Sequence, residues 1–208
     1  MELINYLNEN YYTKQQLLDL AKISEAELSR LQDKRVMPTC SYRLLLNYSS
    51  DSFFGEFKNQ NEIEYYAKGY LSWIGMLQVT TVVQDVFSIF AHRYTESISK
   101  LKTFGYTSSD PKVNSKLDLH IEEEWQHFLN GIYGLCTKSG LPEDIAAKEL
   151  AILQINEILA LDNEEKDLIK LTKAVNLLDS ASSMFAPHER LKSSRHRLID
   201  EIRRKYKL

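Results

Sequence analysis

Glycine and proline are scarce in this chain, at seven and four of 208 residues. A turn-rich all-β fold draws on both, because glycine supplies positive φ and proline presets turn geometry. Their shortage therefore favours long helices. Cysteine is scarcer still: Cys40 and Cys136 lie far apart and in no CxxC spacing, the pattern of two reduced thiols in a cytoplasmic protein. No sign of charge dominates. At a formal net charge of −3 no global positive field advertises nucleic acid or an anionic membrane, which leaves only a local basic patch open. Long hydrophobic runs are missing too. The opening MELINYLNEN has neither the positive nor the apolar region of an export signal. Gly69 to Gln84 carries no charge but includes Ser72, Gln78, Thr80 and Thr81. It falls short of the ~20 apolar residues of a membrane span and reads as a core helix. The expectation is a cytoplasmic protein with no membrane contact.

What is present is a normal globular balance, 43% hydrophobic and 26% charged, enough to bury a core. Near the start, TKQQLLDLAKISEAELSRLQDKRVMP holds two short helical patterns around a tight link. Thr13 with Gln16, and Ser24 with Glu27, have capping-box spacing. Met37-Pro38 ends the pattern. Tyr42, Leu44 and Leu46 then alternate as a short strand or wing would. SFFGEF reads as a hydrophobic plug, and polar KNQNE marks a boundary near residue 58. Residues 1–57 are thus expected to form a helix-turn-helix-like unit with its linker, and 58–208 a helical bundle. Its helices are expected over about 62–101 (broken near Gly75 or the run Val79–Val83), 112–138, 142–161, 163–184 and 187–207. The fold class is mainly α.

The stretch YYTKQQLLDLAKISEAELSRLQDKRVMP resembles the opening of MerR-type winged helix-turn-helix domains. Tyr12-Thr13, Leu17-Leu18, Ile23-Ser24, Leu28 and Val36–Pro38 carry the likeness, which implies a DNA-reading second helix. The departures oppose that role. Ser29 stands where the family tends to have arginine, and Glu25, Glu27 and Asp33 put negative charge where phosphate should approach. Lys14, Arg30, Lys34, Arg35 and Arg43 remain as contacts, so specific DNA binding is not expected.

Three constellations invite chemistry. His120, Glu124 and His127 share a helical face, but no second Glu-x-x-His pair exists for a bundle metal site, and no metal or cofactor is assigned. Gly131 and Gly134 sit where close backbone approach is needed. FAPHERLKSSRHRL collects His188, Arg190, Ser193, Ser194, Arg195 and Arg197 at what looks like a proline-led helix entry. Free backbone NH groups, hydroxyls and forked guanidiniums suit a phosphate or carboxylate. On a regular helix Arg190, Ser194 and Arg197 would converge, while Arg195 would pair with a carboxylate of another helix. Two longer stretches, WQHFLNGIYGLCTKSGLPEDIAAKELAI and LLDSASSMFAPHERLKSSRHRLIDEIRRKY, resemble an uncharacterised bacterial domain family sometimes labelled natural-product-biosynthesis proteins. That likeness implies no reaction and no catalytic residue.

The sequence thus suggests a binding or regulatory accessory protein whose helical part holds a small anionic ligand or a protein partner. Two alternatives stay open. One is an enzyme of small-molecule metabolism with His188 as acid–base group; the other is a MerR-like transcription regulator.

Overall fold

A computed structural model describes residues 2–80, 85–162 and 166–208. The chain is mainly helical, with one three-stranded antiparallel sheet. It opens with α1 (Glu2–Asn10), β1 (Tyr11–Thr13), α2 (Lys14–Ala21) and α3 (Glu25–Asp33). The expected caps hold α2 and α3 apart. Thr13 Oγ1 accepts from Gln16 N, and Gln16 Oε1 accepts from Thr13 N, closing a full box. At α3 the box is half made: Ser24 accepts from Glu27 N, but the Glu27 carboxylate turns to Arg30. Leu17, Leu18, Ala21 and Leu28 face inward.

Next come β2 (Tyr42–Ser52) and β3 (Gly55–Ala67), a hairpin registered from Tyr42↔Tyr65 to Ser52↔Gly55. β1 pairs with the base of β3, giving the order β1-β3-β2. Two expectations fail here. Residues 62–67 continue a strand instead of opening a helix: Tyr65, Tyr66 and Ala67 pair with β1, Tyr65 also with Tyr42 of β2, and all three are buried. The aromatic pair read as a plug is the hairpin tip, with Phe53 97% and Phe54 95% exposed. Residue 58, near the expected boundary, lies inside β3 opposite Ser49.

The helical part comprises α4 (Tyr70–Val79), α5 (Asp85–Thr103), α6 (Leu117–Leu129), α7 (Ile132–Cys136), α8 (Pro142–Ala160), α9 (Leu168–Ala181) and α10 (Glu201–Tyr206). Gly75 sits within α4 without breaking it. Of the β-branched run, Val79 ends α4, while residues 81–84 lie outside the described residues, as do 163–165 of the helix expected from 163. α8 follows the sequence reading closely, with Pro142 in its first turn and Glu143 and Asp144 beside it.

The expected helix 112–138 is divided. Gly131 adopts φ +75 at the head of α7, and a side chain there would meet the Cys40 and Thr39 carbonyls at 2.6 and 2.9 Å. At Gly134 a Cβ would overlap Ser41 Oγ and stand 2.8 Å from Tyr70 Oη. Both glycines therefore admit the strand entering the hairpin. Behind them lies the aromatic core of Trp73, Phe90, Trp125 and Phe128. Trp73 Nε1 donates to Val36 O at 2.9 Å, so the segment after α3 and the helical part share one interior. Among the described residues no helix is long and apolar enough to cross a membrane.

Candidate functional site

The C-terminal segment departs most from its sequence reading. Pro187 opens a turn, not a helix; a 3-10 turn spans Arg190–Lys192, and Ser193 is extended. Helix begins only at residue 194 and passes through a π-turn, His196–Asp200, into α10. Ser193 is its cap: the hydroxyl accepts from His196 N at 3.2 Å and donates to Arg190 O at 2.6 Å. A regular helix from 187 was the premise for bringing Arg190, Ser194 and Arg197 together, and that premise does not hold.

The side chains disperse accordingly. His188 is exposed, 3.8 Å from Glu189, and with Ser193 borders a shallow cleft of about 290 Å³. Arg190 approaches Asp200 at 4.0 Å, Ser194 is half-buried, and Arg197 is exposed. Two of the six are buried: Ser193, the cap just described, and Arg195. Arg195 is 8% exposed, and its guanidinium binds the Asp179 carboxylate of α9. The expected pairing with another helix is present.

Asp179 also receives Arg203, at 2.8 Å, and Arg203 in turn reaches Asn176 Oδ1 at 2.9 Å. Arg195 and Arg203 are eight residues apart, about 80° around a regular α-helix. The π-turn adds one residue to that interval and brings them to within about 20°. Both can then grip one carboxylate. Burial would raise the Asp179 pKa, but Arg203 and Arg195 hold it below the usual carboxylate range.

This clamp forms one wall of a cleft of about 550 Å³. Tyr6, Asn10 and Tyr11 bring α1 and β1 into the lining, to which Lys138, Ser182 and Ser183 also belong. The loops are held by the Thr137↔Ser182 bridge, by Lys138 N donating to Ala181 O at 2.9 Å, and by Ser183 Oγ donating to Leu135 O at 2.6 Å. Among the described residues, two buried polar atoms of the lining residues have no hydrogen-bond partner: Ser182 Oγ and Arg195 Nε. Lys138, Arg195 and Arg203 outweigh Asp179, so the lining carries an excess of positive charge. Sequence reasoning missed Asp179, Lys138 and Ser182. Arg203 had a signal only in the arginine-rich end of the chain.

The His120 constellation takes a different form. His120 is buried with neither ring nitrogen hydrogen-bonded among the described residues, and Nε2 stands 3.7 Å from both Glu124 and Glu149. The Tyr133 hydroxyl donates to Glu124. His127 is not with them; its ring lies 6.3 Å from Tyr133. Among the described residues no group of three or more His, Cys, Asp or Glu is arranged to hold a metal ion.

The residues expected to meet DNA are largely engaged within the protein. Lys14 is paired with Glu25 and Glu64, Arg30 with Glu27, and Arg43 with Glu62 and Glu64, while Arg35 donates to Gln126.

Residues 86–207 match the model of a family described only as one of unknown function. No curated protein and no solved structure matches the chain.

Proposed function

The chain belongs to this family, DUF6058, and we propose that it is a binding or regulatory accessory protein holding a small anionic ligand in the Asp179–Arg195–Arg203 cleft. One observation carries the reading. In the cleft lining three cations, Lys138, Arg195 and Arg203, face one carboxylate, Asp179, and two lining residues, Ser182 and Arg195, each keep a buried polar atom with no partner among the described residues, a costly arrangement. A carboxylate or phosphate offsets the excess positive charge of Lys138, Arg195 and Arg203 and suits the planar forks of the two arginines. Tyr6, a partly buried aromatic of the lining, favours a ligand with a flat or apolar body. Because the walls come from α1–β1 and from the family-matching part, occupancy would tie the two together.

Catalysis by a His188–arginine pair finds no support in the geometry, since His188 borders a different cleft from Arg195. The order α1-β1-α2-α3-β2-β3 with β1 beside β3 supports a winged helix-turn-helix shape. Residues 1–67, however, hold ten acids against seven lysines and arginines, so specific duplex binding is not part of this reading.

Thermal-shift measurements against phosphate, sulfate, simple carboxylates and phosphorylated metabolites test it. At a hundred times its Kd a ligand raises stability by about 2.7 kcal/mol. Lys138→Ala and Arg203→Ala should reduce that gain. No shift from any member of the panel, or shifts that both variants leave intact, would sink the reading.

A further inference from the structure

Among the described residues no strand pairs with the outer side of β2, because the sheet order leaves it at the edge. β1 covers only residues 65–67 of β3. From Gly55 to Glu64 the arm is therefore two strands wide, an arrangement of marginal stability in water. Natural edges are blunted with lysine, proline or bulges, yet β2 contains neither lysine nor proline. Alternation puts Leu44, Leu46 and Tyr48 on one face, shared with Ile63 opposite Leu44, Phe57 opposite Ser50, and Asn61 and Asn59 opposite Leu46 and Tyr48. Near the base this face packs with Leu7 of α1. Towards the tip it is open to solvent, with Tyr48 and Phe57 48% and 55% exposed.

We propose that a second copy of this chain covers this edge, β2 pairing antiparallel with β2 about a twofold axis at Asn47. The register points to that centre. The two-residue loop closes on the Ser52–Gly55 pair, so the even-numbered residues of β2 bond to β3 and the odd-numbered ones turn their NH and C=O outward. Asn47 is outward-facing and is the midpoint of the strand Tyr42–Ser52. A twofold axis there opposes Leu45 to Ser49 of the second copy and Arg43 to Asp51 of the second copy, once on each side. The edge is thus self-complementary in charge, as an isologous interface requires. Asp51 makes no ion pair among the described residues, and the Arg43 side chain, though paired with Glu62 and Glu64 of its own hairpin, is 61% exposed. All five outward residues find partners, giving about ten new backbone hydrogen bonds.

The same register explains the tip. Phe53 and Phe54 of one copy arrive level with Ser41 and Cys40, at the base of the other copy's hairpin. The two apolar faces join on one side of a four-stranded sheet, because directly opposed residues share a face.

Light scattering and cysteine cross-linking on the full chain test the proposal. The expected mass in solution is twice the 24.2 kDa of the chain. Asn47→Cys should form an intermolecular disulfide under mild oxidation beyond the wild-type background, since opposed strand residues meet disulfide geometry. Leu45→Cys and Ser49→Cys should each cross-link poorly alone and readily when mixed. Ser49→Pro, which removes an outward NH, and Leu45→Lys should give monomers with unchanged far-UV dichroism. A monomeric wild type, or a dimer in which Asn47→Cys does not cross-link, overturns the proposal. So does a monomer that binds phosphatidylcholine–phosphatidylglycerol vesicles through Phe53 and Phe54.

Discussion

Asp179 and Glu124 are both acids drawn into the helical part of the chain, and their protons are held in opposite ways. Asp179 keeps a side chain 27% exposed and is gripped by two guanidiniums. Glu124 is 6% exposed, with a tyrosine hydroxyl as its donor and His120 3.7 Å away. Burial opposes the charged form in both. At Asp179 the arginines overcome it and the pKa falls; at Glu124 burial dominates and the pKa rises, the Tyr133 hydrogen bond only partly countering it. The two sites share residue chemistry but not accessibility. Asp179 opens on a cleft with positive charge to spare, whereas the His120–Glu124 cluster is closed in on itself. Cations that outnumber their carboxylate at an open cleft are what an anionic ligand requires, and only the first site has them.

The largest expected effect breaks the clamp. Asp179→Ala leaves Arg195 buried without its carboxylate, and removing one partner of a buried pair costs about 3–5 kcal/mol. Partial exposure of Asp179 places the expected loss near the lower end, about 3 kcal/mol. Asp179→Asn keeps an acceptor and should lose less. Urea unfolding measures both, and a loss below about 1 kcal/mol in the alanine variant would mean that water already satisfies Arg195.

A smaller effect separates the two acids by pH. The folded pKa of Asp179 lies below its unfolded value, about 3.9. Its contribution is therefore present above that value and lost as pH falls through the folded pKa. Glu124 has the opposite sign. Its folded pKa lies above about 4.3, so the native state holds the proton more tightly and stability declines as pH rises from that value through the folded pKa. The slope from one such group is at most about 1.4 kcal/mol per pH unit. Glu124→Gln keeps an acceptor for Tyr133 and should flatten the decline on the alkaline side while leaving the acid limb unchanged. An unaltered slope between mildly acidic and neutral pH would assign the titration elsewhere.

Which of these features could be read from the sequence follows from how local each one is. The ends of α2, α3 and α8 rest on side chains three residues from the backbone groups they cap or on a first-turn proline, and they were legible. The glycine positions were legible as close approaches, but not their neighbour, since Cys40 lies about ninety residues from Gly131. The hairpin was read only as a short strand. Residues 58–62 are polar on both faces, because both are solvated in one copy of the chain, and pairing between strands leaves no local trace. The cleft was least legible. Arg195 could be expected to meet a carboxylate, but its identity as Asp179, the π-turn that aligns Arg203, and the walls from Tyr6 and Tyr11 all depend on tertiary contacts.

The smallest expected effect sharpens the contrast between two arginines on one helix. Arg197 is two residues from Arg195, about 200° around the helix, and lies on the exposed side, where no carboxylate of the described residues pairs with it. A solvated guanidinium contributes little to stability, so Arg197→Ala should stay within about 0.5 kcal/mol of wild type. It should also leave the stabilisation by phosphate or carboxylate unchanged, in contrast to Arg203→Ala. The pair of variants reports where the ligand sits. Loss of the ligand shift in Arg197→Ala with its retention in Arg203→Ala would move the anion from the cleft to the outer face near Arg190. The regular-helix reading of this segment placed it there, and the capped start at Ser193 and the π-turn argue against that position.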